Sequence, residues 1–378
     1  MPNNRIFYAT RKTGIAPLGS LTYTTVRGAQ SAGLTTNFNI EQVFEQGKLS
    51  IYQNIEGVPD ISIDMEKVLD GYAPIYVLAT QQGTSATLVG RSSARCSLAM
   101  SIYPETNTTS EGTPGAEVQM SGLYISSVGY NVSVDGRAKE TVGFVGNNKV
   151  WVNIIAGTAF VTYGDGNVFT NSANPKAISG SGGVNGRESV LFNYVQGGGI
   201  TVGKDANGSV SGIGTVLPQD IPGVSSSGTN NRVNGVFNAH PQSFNTSVDL
   251  NREDLFELGR RGPYFKFVSF PVAVTTEITV ISSSGDMVSA TEDGIIAAVG
   301  CGVGSNLYDR TIRLHMCEGL QVDLGKMNKL TSVGMTGGDT GGGNVEVTYT
   351  YTNQNDFSVY HPSDPSRVTA GFDPAGVF

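Results

Sequence analysis

The sequence predicts a mainly β protein made of two tandem, related β-sandwich or barrel-like domains, each with one short helix. Three observations predict it. The composition is rich in Gly and poor in charge, apolar residues recur at every second position, and a segment near residue 40 returns near residue 252. The 378 residues are enough for two domains of about 150 to 190 residues, each able to bury a core. Charged residues are 15% of the chain and Gly accounts for 50 positions, nearly twice the usual share of about 7%. Such a chain turns often.

Period-two alternation marks the strands in chain order. It runs through Asp60-Ile61-Ser62-Ile63-Asp64-Met65, then Cys96-Ser97-Leu98-Ala99-Met100-Ser101-Ile102, each with one face to bury. It returns in Tyr130-Asn131-Val132-Ser133-Val134, closed by Asp135-Gly136, and in the stretch from Val345 to Tyr351. Residues 39–47 read instead as two turns of helix, with Asn39 as cap, Gln42 three later and Gly47 as stop. From Tyr163 to Val233, Gly, Ser, Asn and Thr dominate, so residues 164–233 read as a linker and surface excursion between a first domain (1–163) and a second (234–378).

At an offset of 212, residues 39–59 align without a gap on 251–271. Asn39, Glu41, Phe44, Glu45, Gly47, Tyr52 and Pro59 meet Asn251, Glu253, Phe256, Glu257, Gly259, Tyr264 and Pro271. Seven identities in 21 positions exceed the one or two that chance supplies at roughly ordinary composition. Ser127-Val128-Gly129 then meets Ser332-Val333-Gly334 at offset 205, as hairpin loops of unequal length allow. The chain reads as a tandem duplication. One phase departs: Ile61 and Ile63 are apolar in the first copy, whereas Val272 and Val274 align with Asp60 and Ser62. A one-residue slip reverses a strand's faces, so the second copy needs a bulge or a different burial.

Several chemistries are disfavoured. With 24 basic and 32 acidic residues the net charge is −8, opposite to what gripping phosphates requires. Cys96, Cys301 and Cys317 cannot form a paired framework or a zinc spacing and read as small buried hydrophobes of a reducing compartment. No apolar run follows basic residues at the start and no window approaches a membrane span, so the chain is expected to act without export. A porin shares the acidic, Gly-rich composition but needs a signal peptide, and Pro362, Pro365 and Pro374 spoil a closing strand.

Three local patterns invite chemistry and are better read as structure. Gly198 to Lys204 has the glycine and lysine positions of a phosphate loop, but Asp205 stands where Ser or Thr is needed. His315 and Cys317 share a strand face near Cys301 without a second close ligand pair. Glu41 with Glu45, and Glu253 with Glu257, could share a helix face as the two acids of a glycosidase. The repeat keeps them with Asn, Phe and Gly, which frame the helix, so a cation of a neighbouring subunit, Arg260, Arg261 or Lys48, is the expected partner, with Glu257 and Arg261 pairing within their own helix as the alternative and Phe44 and Phe256 as core anchors. No catalytic site and no cofactor or metal is expected.

The stretch from Gln42 to Glu56, continuing through Val58-Pro59-Asp60 and Glu66-Lys67-Val68-Leu69-Asp70-Gly71, resembles tail-tube and related virion structural proteins of tailed bacteriophages. Residues 249–262, Asp-Leu-Asn-Arg-Glu-Asp-Leu-Phe-Glu-Leu-Gly-Arg-Arg-Gly, look like the partner domain of such a protein. The resemblance covers about residues 20–80 and 235–295. It implies tube domains whose inner sheet joins neighbours into a ring around a channel, rings that stack into a tail tube, and DNA that passes without specific binding. Sheath, baseplate and tail terminator proteins would be the other partners, with assembly in the host cytoplasm and residence in the virion. If six tube domains make a ring, a duplicated chain makes it as a homotrimer of pseudo-sixfold symmetry. The repeat-framing residues would lie at ring interfaces, and Asp60 and Asp64 are candidates for the channel lining. The competing expectations are a receptor-binding or depolymerase protein with a carbohydrate site, and a baseplate or decoration protein.

Overall fold

The computed structural model describes residues 6–104, 112–153, 159–164, 232–233, 236–237, 240–281, 312–316, 320–338, 340 and 343–360. The first half begins with β1 (Arg11–Pro17), β2 (Thr22–Thr25) and β3 (Ala29–Asn37), then a hairpin of β4 (Ile40–Phe44) and β5 (Ile51–Glu56), then β6 (Asp60–Val68). Two short helices, α1 (Ile75–Ala79) and α2 (Leu88–Arg91), precede β7 (Cys96–Ile102), β8 (Ala116–Ser133), β9 (Lys139–Gly146), β10 (Asn148–Asn153) and β11 (Thr162–Gly164). A two-residue ladder of β12 (Arg232–Val233) and β13 (Val236–Phe237) leads into the second half. It holds β14 (His240–Asp249), a hairpin of β15 (Arg252–Leu255) and β16 (Phe265–Val268), β17 (Ala273–Ile281), β18 (Arg313–His315), β19 (Gln321–Asp323), β20 (Lys329–Thr336), β21 (Glu346–Gln354) and β22 (Ser358–Tyr360).

The protein is thus mainly β, and β6 has the expected phase: Ile61, Ile63 and Met65 are buried while Asp60, Ser62 and Asp64 are exposed. Cys96–Ile102 is a strand but is buried on both faces, Ser97, Ala99 and Ser101 included, rather than on one. Cys96 opens β7 and is buried in the core, which pushes its thiol up to about 12. The phosphate-loop-like segment, Cys301, Cys317, the C-terminal prolines and nearly all of the 164–233 excursion lie outside the described residues.

Strand β8 organises the molecule because its 18 residues serve two sheets. Its first part pairs with β7 and β10; its last part pairs with β9 on one side and β14 on the other. The change of sheet falls at Gly122, whose φ of +68° is one that L side chains rarely adopt. One sheet runs β11–β2–β1–β7–β8–β10. The other, the long sheet, runs β3–β6–β9–β8–β14–β17–β21–β20, eight strands through both halves.

Leu98, Met100 and Val118 of the covering sheet share a core with Ile63, Val142 and Phe144 of the long sheet. In the second half a three-stranded sheet, β18–β19–β22, contributes Val322 and Val359 to the same core as Ile278 and Tyr349. These residues form one continuous core. Phe357 links the halves: its ring meets Tyr76 edge-on at 5.6 Å, and its carbonyl accepts the Leu88 amide at 2.8 Å.

The two expected helices are not there. Residues 39–47 and 251–259 form the first strand and turn of hairpins β4–β5 and β15–β16. Each strand is entered through a side-chain turn: the Asn39 amide donates to Asn37 Oδ1 at 3.3 Å, and the Asn251 amide to Asp249 Oδ1 at 3.2 Å. Each hairpin turns at a glycine of left-handed φ, +87° at Gly47 and +85° at Gly259. Asn before and Gly after a short apolar run suit a helix cap or a turn equally, and pairing with Ile51, Ile55, Phe265 and Phe267 decides for the turn. Phe44 and Phe256 are therefore exposed rather than core anchors.

Candidate assembly interface

The long sheet has two open ends. Among the described residues β3 pairs only with β6, and β20 only with β21. Midway between them lies a joint between the halves, β8 against β14, antiparallel, with Ser127 opposite Asp249, Val128 opposite Val248 and Gly129 opposite Ser247. Both valines of the middle pair are buried.

The joint matters because both halves have the same strand plan. In the first, β3–β6–β9–β8 are neighbours; in the second, β14–β17–β21–β20 are. Their registers coincide when β3 is shifted by 212 residues, β6 by 213, β9 by 207 and β8 by 205. The irregularities coincide as well. A register shift between Ala29 and Ser31 corresponds to one between Pro241 and Ser243, and one between Ile125 and Ser127 to one between Leu330 and Ser332. The apparent reversal of faces has a simple cause: residues 57–59 link hairpin to strand in the first half and 269–272, one residue longer, in the second. Val274 therefore takes the buried place of Ile61 and Ile278 that of Met65.

By this correspondence β20 is the counterpart of β8, and β3 the counterpart of β14. The open ends are the two sides of the central joint, separated. On their core-facing side they carry Ala32, Leu34 and Thr36 on β3 and Val333 and Met335 on β20, all partly or fully exposed. A strand edge without a neighbour recruits another strand, and on β3 the Ala32 carbonyl accepts from Arg11 Nη2 at 2.9 Å and Thr36 Oγ1 from Lys149 Nζ at 2.5 Å within the chain.

Along the opposite, polar face of the long sheet stand six carboxylates, those of Asp60, Asp64, Glu66, Asp249, Glu277 and Glu346, against two ammonium groups, Lys139 and Lys329. Lys139 bridges Glu66 at 3.0 Å. The remaining positions are chiefly Ser, Thr, Asn and Gly. Asp64 and Glu277 occupy corresponding places, Asp64 between Gly33 and Gly143, Glu277 between Asn245 and Thr350. Asp60 is tied down, accepting from Asn39 Nδ2 at 2.6 Å and Asn147 Nδ2 at 2.9 Å.

Two of the three cations named for inter-subunit pairs meet the hairpin acids inside the chain instead, each within its own turn, and Arg261 goes to the Glu56 carbonyl. Lys48 bridges Glu45 at 2.6 Å and Arg260 bridges Glu257 at 3.6 Å, 212 residues apart. Both are exposed pairs that contribute little. Glu41, Tyr52 and Glu253 lie along exposed hairpin strands, Tyr264 is 42% exposed, and Pro59 and Pro271 precede β6 and β17 as strand starts.

Sequence reasoning missed the residues that fix the hairpins and the joint. Arg252 donates through Nε to the Ile125 carbonyl, through Nη2 to the Ser92 carbonyl at 2.7 Å and through Nη1 to the Lys266 carbonyl at 3.0 Å; burial lowers its pKa to about 10. Phe265 meets Tyr124 edge-on at 5.7 Å. Near the other end of β9, Glu140 is fully buried. It accepts the Ile75 amide at 2.6 Å, the Tyr76 amide at 3.0 Å and the Tyr130 hydroxyl at 2.9 Å, and burial raises its pKa against the opposing pull of those bonds. Lys67, also buried, pairs with Asp70. The one available signal was Lys67 itself, a charge in the apolar phase of β6.

Among the described residues no group of three potential metal ligands occurs, and no helix is long and apolar enough to cross a membrane. No protein-family model matches the chain, and no curated protein sequence matches it.

Proposed function

We propose that the chain is a duplicated tube domain and that three copies close head to tail into a ring of pseudo-sixfold symmetry, which stacks into a bacteriophage tail tube. The observation that carries this reading is the pair of open ends: β20 and β3 correspond to the two strands already joined at β8–β14. Repeating that joint between chains is a heterologous contact, and heterologous contacts that close make rings. The equivalent register sets Ser332 of one chain opposite Asn37 of the next, Val333 opposite Thr36, and Met335 opposite Leu34. Closing the ring leaves no free edge.

The polar face of the long sheet would then line the channel. Asp64 and Glu277 alternate at one level, giving six carboxylates per ring, and hydroxyls fill the surface between. A lumen of negative potential repels phosphates, so DNA slides without adhering. The role is mechanical, a conduit, and requires neither cofactor nor catalytic group.

Negative-stain electron microscopy with light scattering on the same purified chain tests this. Hollow tubes or three-chain rings are expected. Six-chain rings would keep a tube but remove the pseudo-sixfold arrangement. Isolated rings that never stack would favour a baseplate component, and a stable monomer or compact trimer without a channel a decoration or receptor-binding protein, to be assayed for glycan cleavage.

A further inference from the structure

Two hairpins of identical register project from the long sheet, and only one of them has something to lie on. β15–β16 lies on the first half of its own chain. Arg252 and Phe265 seat it on Tyr124, its base is fixed by the Leu250 amide donating to the Ser126 carbonyl at 2.8 Å, and its tip reaches the base of β4–β5. At that tip Arg261 Nη2 donates to the Glu56 carbonyl at 3.0 Å, and a Cβ built on Gly262 would stand 3.8 Å from Val58.

The counterpart, β4–β5, is exposed along nearly its whole length and is the more apolar of the two. Ile40, Phe44, Leu49, Ile51, Tyr52 and Ile55 all face solvent. The sharpest contrast is at its entry: Leu250, at the base of β15–β16, is 1% exposed, whereas Phe38, its counterpart at offset 212, is 62% exposed. A position that is core in one half is open in the other. An apolar cluster of this size in the open marks a contact surface.

We infer that β4–β5 docks on the second half of a neighbouring copy of this chain, over β20, as β15–β16 docks on the first half of its own. Phe38 packs beside Thr331 of that copy, and the tip residues Leu49 and Ser50 reach the link at 269–272, where Phe270 is exposed. The occupant is fixed by the molecule itself: the second half is the one surface with the same strand plan as the surface that β15–β16 already covers. The inference rests on the head-to-tail contact proposed above, because that contact brings a second half beside β3.

Two cysteine pairs separate the two ideas in the full chain. Leu34→Cys with Met335→Cys tests the strand contact, since directly opposed residues of antiparallel strands lie within disulfide reach. Ser50→Cys with Phe270→Cys tests the hairpin contact, whose in-chain counterpart is the close approach of Gly262 and Val58. After mild oxidation, non-reducing electrophoresis should show dimers and trimers for both pairs, and none for the four single variants, which retain Cys96, Cys301 and Cys317. Linking by the strand pair alone would overturn the hairpin inference and keep the ring. Linking by the hairpin pair alone would keep the hairpin contact and overturn the proposed strand register. Failure of both would remove the head-to-tail contact and the inference with it.

Discussion

The Arg252 guanidinium lies over the Tyr124 ring, 4.8 Å from its centre, and its nitrogens reach three backbone carbonyls at once. One side chain of the second half thereby orients a hairpin on the first.

Arg252→Ala should therefore release β15–β16 and cost about 2 to 4 kcal/mol, because three part-buried carbonyls lose a charged donor. Arg252→Lys should recover little of it, since an ammonium cannot spread across three acceptors. Urea denaturation gives the stability. Limited proteolysis gives the hairpin's release as new cleavage after Arg260 or Arg261, both exposed in the turn.

Glu140 makes stability depend on pH in a particular direction. Burial raises its folded pKa above 4.5, so between that value and the folded pKa the native state holds a proton that the unfolded chain has lost. Its contribution is fully present below 4.5 and is lost as pH rises through the folded pKa. Glu140→Gln abolishes this slope. It also sets an amide NH₂ against one of the donors that the carboxylate serves, costing about 1 to 3 kcal/mol above the folded pKa, where the wild-type group is ionised. Urea midpoints from pH 4 to pH 7 for both proteins read the difference in slope.

The open strand edges give a prediction in which folding and assembly separate. Met335→Lys places a charge at the edge of β20, where the side chain is 56% exposed, so the chain's own stability should move by no more than about 0.5 kcal/mol. Assembly should fail, because a lysine on an edge strand blocks pairing. Val128→Lys sets the same charge in the corresponding joint inside the chain, where the side chain is 2% exposed, and should prevent folding. Light scattering alongside circular dichroism distinguishes a folded monomer from an unfolded chain.

What the sequence disclosed follows the range of the forces involved. Strand β6 was legible because alternation of Ile61, Ile63 and Met65 with acids is a local consequence of one-sided burial. The correspondence of residues 39 and 251 was legible as identity, although its conformation was not: Asn39 and Gly47 satisfy a helix cap or a hairpin, and only cross-strand partners seven or more residues away choose. The bend of β8 at Gly122 and its exchange of partners, β7 for β14, depend on segments more than a hundred residues apart. Arg252 was hidden for a similar reason, since Ser92 and Ile125 adjoin it only after both halves have folded. Lys67 stood in the apolar phase of its strand in plain sight, and its resolution, Asp70, was three residues away.

The polar face of the long sheet gives the test closest to the proposed role. Asp64 and Glu277 are exposed on central strands, with side chains directed away from the core, so Asp64→Lys with Glu277→Lys should leave the fold and the edges intact. Each substitution changes the local charge by two units. A three-chain ring would carry six cations at one level in place of six anions. Phosphates that the proposed wild-type channel would repel would then be held with a salt dependence set by the number of counterions released, about 0.7 to 0.9 per contacted phosphate on a log–log scale. Short single-stranded DNA should co-sediment with tubes of the variant at low salt, be released as salt rises, and fail to co-sediment with wild-type tubes. Equal binding by both would place the acids away from the channel and assign the polar face to the outside of the assembly.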